Sequence, residues 1–315
     1  MIPLPLQIII ALGLDQVLGD PRWLPHPVRL IGWLQLRLEG LTRLLLPGRA
    51  RLAGIITTSV TLLLVAGLSG GLLLLAGLYS PLAHDTLAIL ILYTCFAGRD
   101  LDRHARRVAE ALRAGNLEQA RARVGLIVGR DTTALDWSGV ARAAVESVAE
   151  SLVDGVCAPI FYAVIGGPVG ALLYKAINTG DSMFGYKNER YQEFGWGPAR
   201  LDDLANYVPA RLTALVMPLA AAILGLRAKR AWRVMLRDHG KHPSPNAGLP
   251  EAAMAGALGV SLGGPAVYGG QEHVKPLLGD PGRPLTAQHI GLALRLMWVT
   301  MILVTAALLL ARLLG

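Results

Sequence analysis

From Leu52 to Ala83 the chain runs for 32 residues without one charged side chain. A helix needs only about 20 apolar residues to cross the hydrocarbon core of a bilayer. A soluble fold would have to hide such a run on every side, and the rest of the chain offers little polar surface for that. Charged residues make up 17% of the 315 residues, against about 25% in ordinary soluble domains. In lipid, each backbone polar group must find its partner inside the protein, which a helix does along its own length. The expected fold is therefore all-α, a polytopic integral membrane helical bundle.

The other apolar stretches are less regular. The first, Ile2–Leu18, carries Asp15 and reads as a first membrane helix. It lacks the basic start and small-residue cleavage site of a signal peptide. In the second, Gly70, Gly71 and Gly77 suggest close packing or a break. The third, Thr86–Gly98, is long enough only if His84 and Asp85 lie at the interface. Residues 99–151 read as a helical insertion, with Leu101, Val108 and Leu112 at helical spacing. Leu152–Leu173 holds Asp154, Pro159, Gly166, Gly167 and Pro168, and Val208–Leu226 holds Pro209, Arg211 and Pro218. These two are expected to be broken or re-entrant, because irregular backbone at membrane depth must be shielded by protein. Ile290–Leu314 is a final span. No repeat divides the chain, so one membrane-embedded domain is expected over residues 1–315.

The formal charge is +8. Arginine-rich loops at 20–51, 99–151 and 227–242 place those segments in the cytoplasm by the positive-inside rule. Clustered cations also suit anionic substrates. Nucleic acid is excluded as a partner, because the arginines lie among apolar spans with no aromatic platform between them. Cys95 and Cys157 stand alone in apolar segments and read as core fillers.

Five groupings could carry chemistry. Glu146, Glu150 and Asp154 recur every four residues, so one continuous helix would stack them on a single face. Three adjacent carboxylates need a cation among them, and Mg²⁺ carrying a nucleotide takes carboxylate and phosphate oxygens together. Asn178 and Asp181 share a face with Tyr174, and Tyr186, Lys187 and Arg190 follow them. Such a set suits a phosphate-bearing ligand. Asp202 and Asn206 lie one helical turn apart beside Asp203, and Arg211, in an apolar region, is expected to pair with Asp202 or Asp203. Ser244 or Asn246 could cap a helix starting near Pro250, followed by small residues at Ala255, Gly259 and Gly263. Asp20, His26 and Arg29 flank a proline-fixed turn. No nucleotide-binding glycine loop, nucleophile elbow or zinc-binding His-Glu-x-x-His helix is present.

In order along the chain, these segments resemble the CobD/CbiB family of adenosylcobinamide-phosphate synthases. The resemblance runs through Leu18-Gly19-Asp20-Pro21 with His26-Pro27-Val28, Gly129-Arg130-Asp131-Thr132, and Ala143 to Ser151 with Asp154-Gly155. It continues through Asn178 to Met183 with Gly185-Tyr186-Lys187, Asp202-Asp203 to Arg211, Ser244 to Gly248, and Ala255 to Val260. Family members more often carry Asn at the place of Ser151 and Leu at the place of Gly180.

The resemblance implies a ligase that joins (R)-1-aminopropan-2-ol O-phosphate, or aminopropanol, to a propionate carboxylate of adenosylcobyric acid. Mg²⁺ and ATP would assist and the corrinoid would be the substrate. On that basis Glu146, Glu150, Asp154, Asn178 and Asp181 hold the metal. Lys187, Arg190 and Arg211 meet phosphate or propionate, with Asp20, His26, Arg29, Tyr186, Asn206, Ser244 and Asn246 also binding substrate. Asp181, Asp202 and Asp203 are the catalytic candidates, one of the last two as base. The expected setting is the cell membrane, multi-pass, with the site on the cytoplasmic side. Other late cobalamin-assembly enzymes, or a second copy of the chain, are possible partners. A corrinoid transporter or scaffold is the competing reading, but a transporter should show two related halves, and none is visible.

Overall fold

A computed structural model describes residues 1–21, 26–186, 188–268, 270–282 and 284–314. It is helical almost throughout, so the all-α membrane fold is as expected. Among the described residues, four helical stretches are long and apolar enough to span a bilayer: Ala50–Tyr79, Pro81–Arg113, Trp137–Phe184 and Ala287–Leu314. A fifth results if Trp196–Ala205 and Tyr207–Ile223 form one broken span.

Contacts divide the chain into two compact units. The first contains Met1–Ala97, Ala158–Asn206 and Leu308–Gly315; the second contains Gly98–Cys157 and Tyr207–Ala307. The stretch 99–151 thus packs with residues 207–307 in the second unit.

In the first unit, α1 (Leu4–Leu18) packs on α4 (Pro81–Cys95), and α2 (Pro27–Leu45) packs on α3 (Ala50–Tyr79). At 15 residues, α1 is shorter than a full span needs. His26 starts α2, its Nδ1 accepting the Val28 amide while Pro27 takes the first turn. The glycines do not break α3, which runs unbroken for 30 residues; a side chain at Gly70 or Gly71 would meet nothing, one at Gly77 would touch His84, and Gly54 packs closely on the Phe194 carbonyl. Asp85 is buried near the start of α4. Its carboxylate accepts the Ile2 amide at 2.7 Å and Gln7 Nε2 at 3.1 Å, which fixes α1 against α4.

The π-helical turn Leu152–Cys157 of the second unit precedes α8 (Ala158–Phe184) of the first. Inside α8, Gly167 adopts φ 61° and Pro168 has no N–H to give the ladder, so the helix kinks there. Arg312 donates to the Val164 carbonyl at 2.6 Å, the acceptor that Pro168 cannot serve. α9 (Trp196–Ala205) follows a turn locked by Phe184 and Phe194, whose rings meet edge to face.

The second unit holds α5 (Gly98–Arg113), α6 (Leu117–Val124), α7 (Trp137–Ser151), α10 (Tyr207–Ile223), α11 (Ala228–Asp238) and α12 (Gly248–Leu258). Most of α13 (Ala287–Leu314) belongs here too, its Trp298 donating to Asp102 at 3.0 Å. Leu101, Ala105 and Val108 turn the buried face of α5 inward at helical spacing, as expected of that segment. Cys95 and Cys157 are both buried and unbridged.

Among the described residues the strands form one antiparallel hairpin, β1 (Leu262–Tyr268) and β2 (Gln271–Leu278). It replaces the expected glycine-rich packing stripe, because α12 ends at Leu258 and Gly263 lies in β1. Gly263 adopts φ 87°, and a Cβ there would collide with the Pro276 carbonyl. Its backbone also reaches α7, through the amide and carbonyl of Gly263.

Candidate functional site

The second unit gathers buried charge beneath this hairpin. Glu146 of α7 is 3% exposed. One of its oxygens is paired with Arg130, from the loop after α6, and the other accepts the Gly263 amide at 2.6 Å. Arg142, one helical turn earlier, donates to the Gly263 carbonyl at 2.9 Å. An ion pair taken out of water holds only when its remaining lone pairs are also satisfied, and the hairpin backbone does this for Glu146.

Glu251 lies in the first turn of α12 and is 3% exposed. Its Oε1 is 3.6 Å from Nε2 of His242. The Ser244 amide donates to His242 Nδ1 at 3.0 Å, while the Ser244 carbonyl lies 3.3 Å from the same nitrogen. The shorter bond makes Nδ1 the acceptor and leaves the proton of the neutral ring on Nε2, toward Glu251. Burial, then the charges of Glu146 and Glu150, hold the Glu251 carboxyl well above the ordinary range, against the pull of Lys275 and Arg130. Burial and Lys275 push His242 down, so its imidazole stays neutral more readily than a free one.

The first unit holds a different network, made mostly of amides and phenols. Asn206 donates to Asp202 Oδ2 at 2.9 Å, and Asn178 of α8 donates to Asp202 Oδ1 at 3.4 Å. Tyr174 donates to Asn206 Oδ1 at 2.9 Å, and its ring stacks on Tyr162 at 5.2 Å. Both oxygens of buried Asp202 are thus held by uncharged donors.

The CobD/Cbib protein family profile matches residues 8–297. This chain belongs to the CobD/CbiB family. Cobalamin biosynthesis protein CobD of Geobacter metallireducens is 50% identical over 291 residues, 92% of this chain and 91% of its own. That of Pelobacter propionicus is 46% identical over 313 residues, 98% of this chain and 97% of its own. Cobalamin biosynthesis protein CbiB of Salmonella typhi is 42% identical over 305 residues, 96% of each chain. No solved structure matches.

The CobD/CbiB residues singled out by sequence divide between the units. Glu146, Glu150 and Asp154 fall in the second, Asn178 and Asp181 in the first. The continuous stack expected for the three acids is interrupted, because α7 ends at Ser151 and Asp154 sits on the π-helical turn. Glu146 presents no free oxygen to a cation, and among the described residues no three His, Cys, Asp or Glu side chains are grouped to hold a metal.

Arg211 was expected to pair with Asp202 or Asp203. Its hydrogen bonds go to the Tyr207 carbonyl at 2.8 Å and to Asn246 Oδ1 at 3.4 Å, with its guanidinium over the Tyr207 ring. Asp203 lies 3.8 Å from Arg200. Arg190 pairs with buried Glu39 at 3.2 Å. Asp20 draws together His26 at 3.8 Å and Arg29 at 3.9 Å, as their spacing suggested. Tyr186 is exposed, Asp181 lies in the last turn of α8, and Lys187 lies outside the described residues. Neither Ser244 nor Asn246 caps α12, which begins at Gly248; Ser244 Oγ instead accepts the amides of Asn246 and Ala247.

Sequence reasoning missed Glu251, His242 and Lys275, and treated Arg130 only as part of a motif. Glu251 had a visible signal: a lone carboxylate opening the apolar run Ala252–Val260.

Proposed function

We propose that this chain, which shares with its relatives a part in cobalamin biosynthesis, is an adenosylcobinamide-phosphate synthase. It joins (R)-1-aminopropan-2-ol O-phosphate, or aminopropanol, to the propionate carboxylate of adenosylcobyric acid. Family membership over residues 8–297 supports the pathway, and the family resemblance supplies the reaction. The observation that carries the site is the buried charge of the second unit, where Glu146 is held by Arg130 and the Gly263 amide and Glu251 lies 3.6 Å from His242. Such mixed, desolvated charge suits a reaction between an acid and an amine.

A carboxylate is a poor acyl donor, so the proposal includes its activation by ATP, which turns one oxygen into a phosphate leaving group. Magnesium enters with the nucleotide phosphates. Glu146, with one oxygen on Arg130 and the other on the Gly263 amide, does not fit as its ligand. Asp181, Asp202 and Asp203 remain candidates for catalysis, and the reaction is assigned to the cytoplasmic side of the cell membrane.

Oxygen labelling tests the reading. Adenosylcobyric acid carrying ¹⁸O in the reacting carboxylate is incubated with purified protein, amine, Mg²⁺ and ATP. Amide product together with ¹⁸O in the released phosphate is expected. Amide product with unlabelled phosphate would rule out activation by phosphoryl transfer to that carboxylate.

A further inference from the structure

We infer that the cleft beside Arg312 binds an anionic phospholipid, with the lipid phosphate on the Arg312 guanidinium and an acyl chain along the apolar wall. The inference is independent of the ligation reading.

The kink in α8 accounts for the cleft. Gly167, at φ 61°, turns the chain aside, and Pro168 lacks the N–H that would have reached the Val164 carbonyl. A side chain at Gly166 or Gly167 would meet nothing, so this corner of the first unit is open. The cleft has a volume of about 550 Å³ and is lined by Val164, Ile165, Leu308, Ala311 and Arg312. All five residues belong to the first unit. Sites for small molecules run from roughly 300 to 1,000 Å³, so the cleft can hold part of a lipid. Four of its lining side chains are apolar, and Ile165 is 63% exposed. The fifth is a cation.

Arg312 is exposed and has no carboxylate partner among the described residues. Its hydrogen bond to the Val164 carbonyl, at 2.6 Å, uses one of five N–H donors. That bond holds the guanidinium against the α8 wall of the cleft and leaves its other donors for a ligand. A phosphate takes two parallel bonds from such a fork.

Depth says which phosphate. On α13 the residues from 296 to 311 carry no charge, and they separate Arg295 from Arg312. At 1.5 Å per residue the two arginines stand about 25 Å apart along the helix. The hydrocarbon core of a bilayer is about 30 Å thick. With α13 spanning it, Arg312 stands at the level of the lipid phosphates, and Leu308, one turn earlier, at the level of the acyl chains. A soluble anion would meet the charge and leave Val164, Ile165 and Leu308 uncovered. A zwitterionic lipid would cover them, but its own ammonium competes with Arg312 for the phosphate. An anionic phospholipid satisfies both the charge and the apolar wall.

Native mass spectrometry of the full-length protein, stripped of lipid in detergent, provides the test. The probes are phosphatidylglycerol, phosphatidylcholine and inorganic phosphate. Wild type is expected to prefer phosphatidylglycerol to phosphatidylcholine by about tenfold, the effect of one charge-assisted hydrogen bond. Arg312→Gln removes the charge while its amide can still donate to the Val164 carbonyl, and it should abolish that preference. Arg312→Lys should keep part of it. Ala311→Trp fills the cleft, leaves the charge in place and should weaken phosphatidylglycerol binding by a similar factor, which keeps the test open if the Arg312 variants fail to fold. Equal binding of the two lipids by wild type overturns the inference, as does undiminished phosphatidylglycerol binding by Arg312→Gln or Ala311→Trp. Displacement of phosphatidylglycerol by an equal concentration of inorganic phosphate would assign the cation to a soluble anion and overturn it too.

Discussion

The polar networks of the two units solve the problem of burying a carboxylate in opposite ways. In the first unit Asp202 is surrounded by amides and phenols, and both its oxygens are hydrogen-bonded within the network. In the second, Glu146 is satisfied by Arg130 and a strand amide, and Glu251 faces His242 Nε2 at 3.6 Å. A closed network rigidifies a fold. A buried charge that loses its partner costs stability. The contrast is between a carboxylate held by neutral donors and carboxylates held among charged groups.

The largest effect should come from the acid at the end of α8. Asp181→Asn is expected to abolish amide product while the protein still inserts and purifies; unchanged turnover would remove Asp181 from the site. Next, Arg130→Ala leaves Glu146 buried without its cation, and thermal unfolding in detergent should show a loss of about 3–5 kcal/mol. Asp202→Asn replaces an acceptor with an amide facing two other amides. It should cost about 1–3 kcal/mol, and a loss as large as that of Arg130→Ala would erase the distinction between the networks.

Glu251 gives the sharpest contrast, because its removal should stabilise. A raised carboxyl value in the folded state contributes stability that is complete below the unfolded value of about 4.3 and is lost as pH rises through the folded value. Wild type should therefore lose stability over that range, and Glu251→Gln should flatten the profile and unfold later at neutral pH. Superimposable profiles would show that the carboxyl is not under strain. The smallest effect expected is that of Ser244→Ala, which removes an acceptor for two turn amides. It should cost about 1 kcal/mol, read from the same unfolding curves.

How much of this was legible follows from what each feature depends on. The apolar spans, the helices of residues 99–151 and the Asp202–Asn206 pairing are local, set by composition and helical spacing, and the sequence shows them. The hairpin was hidden because its glycines mimic a helix-packing stripe, and only the close approach of Pro276 to Gly263 reveals the strand. The Glu146–Arg130 pair joins residues across a loop, and the stack with Asp154 failed because a π-helical turn cannot be read from spacing alone. Glu251 and His242 meet only once the loop before α12 folds back. The sequence marked neither as more than an apolar-run boundary, although a lone carboxylate opening such a run was a usable sign.

Turnover tests the central claim most directly. Purified protein is mixed with adenosylcobyric acid, aminopropanol phosphate and Mg²⁺, with and without ATP, and the corrinoid is followed by mass spectrometry. The account predicts a product heavier by one aminopropanol phosphate less water, formed only when ATP is present. No such product with either amine, from folded protein that still binds the corrinoid, would contradict it and favour a transporter or scaffold.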